Sequence, residues 1–252
     1  MTKVADVYRF IDSLVSFGLS ESWDNSGLLV GDMDGEVKKI AVVLDVNEKT
    51  VARATEEDVD LIVSHHPIIF KPKNNFLADS LEYRLAVNKV SVISCHTCFD
   101  SAEGGVNDVL CELLGIKNVR RIESPESEQP LVRAGEVDEI SGREFAKKVS
   151  KALKGKVTLA DSGKTIKTVA VCTGSGGDFV GEIIKLGIDA FVTGEASYHT
   201  MCDAKDAGLT VVAAGHFETE KPAMISLEKK LKDEFDGVEF VEIDETCPFE
   251  YY

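Results

Sequence analysis

A strand–helix–strand pattern recurs in this chain at a fixed spacing, and that repeat limits the fold more than any single motif. Residues 40–46 (IAVVLDV) read as a buried strand. A helical stretch capped by Asn47 runs to Glu57, and Asp60 opens the next strand, DLIVSHH. In the second half, residues 169–174 (VAVCTG) are a strand, 178–186 a helix, and Asp189 opens DAFVTGE. Both intervals, from Ile40 to Asp60 and from Val169 to Asp189, are 20 residues. Each half then adds a helix and another strand, VSVISCHTCFD (90–100) and LTVVAAGHFETE (209–220). Connections this short between like strands require parallel pairing, right-handed crossovers and helices on the sheet faces. The expected fold is therefore α/β: two similar three-layer units with largely parallel or mixed sheets, related by an internal repeat. The charged, proline-containing segment 123–130 (ESPESEQP) reads as a linker, so the expected units are 1–124 and 131–252.

In sheets of this kind, ligands gather beyond the carboxyl ends of the strands. Those ends read SHH, CHTCFD, TGE and AGHFETE, and they hold four of the five histidines, with His199 one helical turn after Glu195. Packing alone gives no reason for such clustering of a rare residue, whereas a metal site does. On an extended backbone His65 and His66 should point to opposite sides, which suits two neighbouring ions better than one. His216 and Glu220 stand four apart, and share a face if the chain is already helical there. His96 and Asp100 repeat that spacing, and Asp100 is the candidate to bridge two ions.

Imidazoles with carboxylates form a mixed N/O donor set that suits Zn, Mn or Fe(II) over Ca or Mg. A shared water on two such ions is a nucleophile near neutral pH, so the chemistry implied is hydrolytic. His96 is expected beside the ions as a proton shuttle or as the residue orienting Asp100. The roles of Glu195 and His199 stay open.

Other features point to plainer roles. Thr2 to Phe17 reads as a first helix, Ser141 opens another that runs to about Leu153, and Pro222 to Phe235 a last one, before a closing strand at 238–243. The lone tryptophan, Trp23, is expected as a core anchor. The glycine-rich turn 173–178 (TGSGGD) could cradle a phosphate, but reads better as a plain turn. The six cysteines are scattered, which suits reduced thiols. A formal charge of −16 argues against general affinity for nucleic acid or anionic membrane, and no apolar run is long enough to span a bilayer. The start of the chain lacks a secretion pattern, giving a cytoplasmic expectation.

The WDNSGLLVG turn (23–31), DLIVSHHPIIF, HTCFD and GHFETE resemble, in order and spacing, the NIF-three-like proteins, GTP cyclohydrolase I type 2 homologues. That resemblance implies paired α/β units around a dinuclear metal site and a toroidal homohexamer, in which the exposed end FEYY (249–252) could be buried. Its metal ligands fall on His65, His66, Asp100, His216 and Glu220. Cys98 stands where the family more often has Asn, and the large insert of longer relatives is missing. The implied activity is attack of water on a nucleotide or related small molecule. The alternative is a non-catalytic ring protein that binds or handles metal.

Overall fold

The structure is a computed structural model that describes residues 1–250. In chain order its main elements are α1 (Val4–Val15), β1 (Gly27–Val30), β2 (Lys39–Val43), α2 (Glu48–Glu56), β3 (Leu61–Ser64), α3 (Leu81–Val87), β4 (Ser91–Ser94) and α4 (Thr97–Ser101). Next come α5 (Val106–Leu114), β5 (Lys117–Ile122), β6 (Val132–Ser141), α6 (Gly142–Leu153), β7 (Thr158–Ala160) and β8 (Thr165–Cys172). The chain closes with α7 (Val180–Lys185), β9 (Ala190–Thr193), α8 (Tyr198–Asp206), β10 (Thr210–Ala213), α9 (His216–Glu234) and β11 (Glu239–Phe240).

It forms two compact units, one of residues 1–102 with 224–252 and the other of residues 103–223. This differs from the expected division at 124–131. The segment 103–122 goes with the second unit because Leu110, Cys111 and Leu114 of α5 share a core with Phe145 and Val149 of α6. The C-terminal residues return to the first unit because β11 pairs in parallel with β2, Glu239 opposite Lys39.

The first unit holds a sheet of order β1-β4-β3-β2-β11, in which β2, β3 and β4 are parallel and β1 antiparallel. Alternate residues Ala41, Val43, Ile62 and Val92 face Val51 of α2 and Leu85 of α3. Neighbours such as Ile40, Leu61 and Val63 are buried too, so both faces are covered and the strands read as unbroken apolar runs. The second unit holds a sheet of order β5-β6-β8-β9-β10-β7 with parallel β8, β9 and β10. Val169, Val171 and Val192 face α5 and α6, whereas Ala170 and Phe191 face Ile183 of α7 and Ala204 of α8. Alternation along one strand thus feeds separate cores, which is the three-layer arrangement the repeat implied.

The repeat is visible in the hydrogen bonds. Asp60 Oδ2 accepts from the amides of Lys38 and Lys39 at 2.8 and 2.9 Å. Asp189 Oδ2 does the same for Lys167 and Thr168 at 3.0 and 2.9 Å. Each aspartate fixes the start of one strand against the next, with Ile40 opposite Leu61 and Val169 opposite Ala190.

Several local expectations shift. Helix α1 starts two residues after Thr2, where Asp6 Oδ2 takes the Lys3 amide at 2.8 Å. Pro222 lies inside α9 rather than at its start. Its missing N–H removes one helical bond, but Ala223, Met224, Leu227 and Leu231 are buried along the same helix, and their burial outweighs that loss. Trp23 is not in the core: it is 56% exposed. Of the FEYY end, Phe249 is exposed, and Tyr251 and Tyr252 lie outside the described residues. Among the described residues, no helix is long and apolar enough to cross a membrane.

Candidate metal centre

In the first unit, β3 ends at Ser64 and the chain bends through His65 and His66. The Ser64 hydroxyl donates to the His66 carbonyl at 2.9 Å, so its 2.8 Å contact with Ser94 must be accepted from the Ser94 hydroxyl. This bend overturns the expectation of diverging side chains. The two imidazole rings lie side by side, with centroids 5.0 Å apart. His96, at the end of β4, joins them, and one donor atom from each of His65, His66 and His96 lies within 4.8 Å of the others.

The tautomers follow from the partners. His65 Nδ1 lies 2.9 Å from the Cys95 carbonyl, which can only accept, so Nδ1 carries the hydrogen and Nε2 the lone pair. His66 Nδ1 is held at 2.8 Å by Asp45, and His96 Nδ1 at 2.8 Å by Asp24. Each carboxylate fixes its ring in the same tautomer. Helix α4 then returns Asp100 so that its Oδ1 lies 3.7 Å from His65 Nε2.

Both carboxylate partners are themselves held. Asp24 also accepts from the Thr97 amide and hydroxyl and from Ser26. Burial works against its ionisation, but hydrogen bonds from His96, Thr97 and the Asn25 amide prevail and keep its carboxyl well below the usual carboxylate range. Asp45 has its carbonyl taken by Thr50 and its amide by Glu245, whose carboxylate also binds the Leu44 amide at 2.8 Å. The C-terminal segment therefore fixes the loop that orients His66.

In the second unit, α9 begins at His216, and the i,i+4 spacing places His216 Nε2 3.2 Å from Glu220 Oε1. The His216 Nδ1 lies 3.1 Å from Glu195 Oε1. The Glu220 side chain is only 5% exposed. The glycine-rich turn lies beneath this pair. Gly174 has φ +59°, and a Cβ there would stand 2.3 Å from Glu220 Oε1. The amides of Gly174 and Gly176 are taken by the Thr219 and Thr193 hydroxyls. The turn therefore makes room for the histidine and carboxylate, and both of those amides are taken within the protein.

Sequence reasoning thus found His65, His66, His96 and Asp100, which come together in one unit, and His216 with Glu220 in the other. It missed Asp24, Asp45 and Glu195 as the groups orienting the rings. A lone carboxylate at the end of an apolar strand, Asp45 in IAVVLDV and Glu195 in DAFVTGE, was the available signal. His199 is on α8, where its ring meets Tyr198, and has no part in either cluster.

The donor chemistry fits a divalent ion. Each imidazole has its hydrogen committed through Nδ1, leaving an Nε2 lone pair beside acidic oxygens, so these groups could hold a metal ion. Cys98 is not one of the donors. Its Sγ contacts Ser26 Oγ at 3.6 Å, and burial pushes its thiol up to about 11. Burial likewise pushes Cys111 up to about 12. Iodoacetamide at pH 8 should therefore label native protein at Cys202 and Cys247, which are partly exposed, and spare the buried Cys95, Cys98, Cys111 and Cys172 until unfolding. Native labelling of Cys98, read by mass spectrometry, contradicts this. An unfolded thiol titrates near ~8.5, so stability from keeping these thiols neutral is full below that pH and is lost as pH rises toward their folded values.

The fold and these clusters define a class: a protein of paired α/β units carrying histidine–carboxylate groups at the carboxyl ends of parallel strands. Residues 2–248 match the family model described as Duf34/NIF3 (NGG1p interacting factor 3), and the chain belongs to that family. It is 35% identical over 260 residues, covering 99% of both proteins, to the GTP cyclohydrolase 1 type 2 homolog of Clostridium perfringens. Among solved structures it is similar to Staphylococcus aureus protein SA1388, with TM-score 0.87 and 26% identity over 100% of this chain and 99% of that one. It is also similar to reduced HcgD from Methanocaldococcus jannaschii, with TM-score 0.85 and 27% identity over 97% and 98% of the two chains.

Proposed function

We propose that this chain is a metal-dependent hydrolase in which His65, His66, Asp100, His216 and Glu220 together hold two divalent ions, Zn, Mn or Fe. The observation that carries this reading is the shared anchoring of the rings. Each of His65, His66 and His216 has Nδ1 against a carbonyl or carboxylate, leaving Nε2 to donate. Carboxylates from Asp100 and Glu220 complete a mixed donor set, and Asp100 has two oxygens with which to bridge.

Ions in such a site supply Lewis acidity and lower the pKa of water. The protein's own groups do the rest. Asp45, Glu195 and the Cys95 carbonyl hold the ligand rings in one tautomer. His96, kept in place through Nδ1 by Asp24, has Nε2 to receive and return a proton during attack of water on the substrate. The reaction is of the GTP cyclohydrolase type named for the relatives, on a nucleotide or related small molecule. The family resemblance also supports a homohexamer.

The test is metal-dependent turnover of GTP, read as formate release, in wild type, Asp100→Ala and His96→Ala. Asp100→Ala should lose at least one ion together with activity. His96→Ala should keep both ions and lose activity by roughly tenfold or more. Ion binding without turnover on any nucleotide would leave a non-catalytic metal-binding protein; loss of ions in His96→Ala would make that histidine a ligand.

A further inference from the structure

The lone tryptophan lies beside the three-histidine cluster of the first unit instead of in the core. Trp23 is 56% exposed and Phe70 is 45% exposed, and their ring centroids are 5.9 Å apart. Both rings meet His96 edge-on, with centroids at 6.1 and 6.2 Å. Two large aromatic side chains left half in water cost hydrophobic free energy that burial would recover.

Hydrogen bonds tie down the backbone that carries this pair. Asn25 Nδ2 donates to the Ile69 carbonyl, tying the turn that carries Trp23 to the loop that carries Phe70. On the other side of the turn, the Glu21 amide donates to Thr97 Oγ1, and Ser26 Oγ accepts the His96 amide. One of these bonds reaches the loop that carries Phe70 and the other two anchor the turn that carries Trp23, and rings on a backbone held in this way form a preorganised surface, which loses little entropy on binding.

We propose that Trp23 and Phe70, whose planes are inclined at 60°, form an aromatic platform on which a planar heteroaromatic ring stacks against one side chain and meets the other edge to face, which sets the substrate class of the neighbouring histidine site. The proposal rests on the hydrolase reading for its catalytic consequence, though not for binding itself. The size of the surface favours a small ring. Half-exposed, the two side chains offer about 200 Å², whereas a stable protein interface takes about 800 Å² from each partner. A ring stacked there lies next to His96, whose donor atom is grouped with those of His65 and His66 within 4.8 Å, so its polar edge adjoins the imidazoles. Phe76 and Leu77 are exposed further along the same loop, so the competing occupant is a second copy of this chain.

Trp23, as the chain's one tryptophan, reports directly on its own contacts. The full chain without added metal is titrated with purine riboside, and with ribose and cyclohexanol as non-aromatic probes. Purine riboside should quench the emission saturably while the other probes do not. Phe70→Ala should weaken the binding roughly fivefold or more, the scale of one lost base–aromatic stack, and Phe70→Tyr should restore it. Quenching that stays linear with concentration, or that is the same in Phe70→Ala with its thermal midpoint unchanged, overturns the proposal. So does an emission shift on dilution without any probe, which would report a second copy over the rings. The failures separate: saturable binding without metal-dependent turnover overturns the hydrolase reading alone, whereas turnover with KM unaltered in Phe70→Ala overturns the platform alone.

Discussion

Gly174→Ala should disable the histidine–carboxylate pair of the second unit without touching either residue. Gly174 adopts φ +59°, a region where a Cβ costs roughly 1–2 kcal/mol. The new Cβ would stand 2.3 Å from Glu220 Oε1, closer than such atoms approach, and 3.2 Å from His216 Nε2, a tight contact. The Glu220 side chain is 5% exposed, so it cannot swing into solvent cheaply, and the displaced carboxylate would leave its place beside the imidazole. We expect ion affinity to fall roughly tenfold to a hundredfold, the range seen when ligands are misplaced by their supporting groups. Competition against a chromogenic chelator with Co²⁺ measures it, and unchanged affinity contradicts this role for the turn.

Asp108→Ala should destabilise the second unit strongly although it lies outside the site. Arg133 is the largest fully buried side chain, with 1% of it exposed, and its Nε donates to Asp108 Oδ1 at 2.5 Å. Asp108 Oδ2 also takes the Gly104 amide at 2.7 Å, where the chain enters the second unit. Removing the carboxylate takes the Asp108 partner from a buried guanidinium that also donates to the Pro130 carbonyl, and costs about 2–3 kcal/mol, the scale of a hydrogen bond to a charged group. At about 2–4 °C per kcal/mol for a protein of this size, the thermal midpoint should drop by roughly 8 °C. Asp108→Asn, which keeps an acceptor but loses the charge, should fall between. A loss under about 1 kcal/mol for Asp108→Ala in urea unfolding contradicts the account.

Much of the candidate site was legible because parallel α/β units put it where a strand reader looks. Asp60 and Asp189 open equivalent strands, and the ends of those strands carry the histidines. The i,i+4 spacing of His216 and Glu220 gave their shared face once the helix began at His216. What escaped were pairings without a local signal. Strand β11 has two residues and joins β2 from the far end of the chain. Strand β5 is almost wholly exposed, and its charged sequence, KNVRRI, lacks the apolar alternation that marks a strand. At the bend after Ser64 its hydroxyl donates to the His66 carbonyl and accepts from Ser94 on the neighbouring strand, so no rule of alternation could show that His65 and His66 lie together. Trp23 departs from the expected burial because residue type predicts burial only on average, and the turn that carries it is tied down through Asp24, Asn25 and Ser26. The orienting carboxylates Asp24 and Asp45 reach their histidines across 72 and 21 residues of chain.

The central claim is that five side chains hold two ions. Reconstitution of the metal-free chain with excess Zn²⁺ or Mn²⁺, removal of the excess by gel filtration, and elemental analysis against protein concentration tests it most directly. The account predicts about two equivalents per chain for wild type and one or fewer for Asp100→Ala and for Glu220→Ala, each remaining folded. A wild-type plateau at one equivalent, or none, contradicts it.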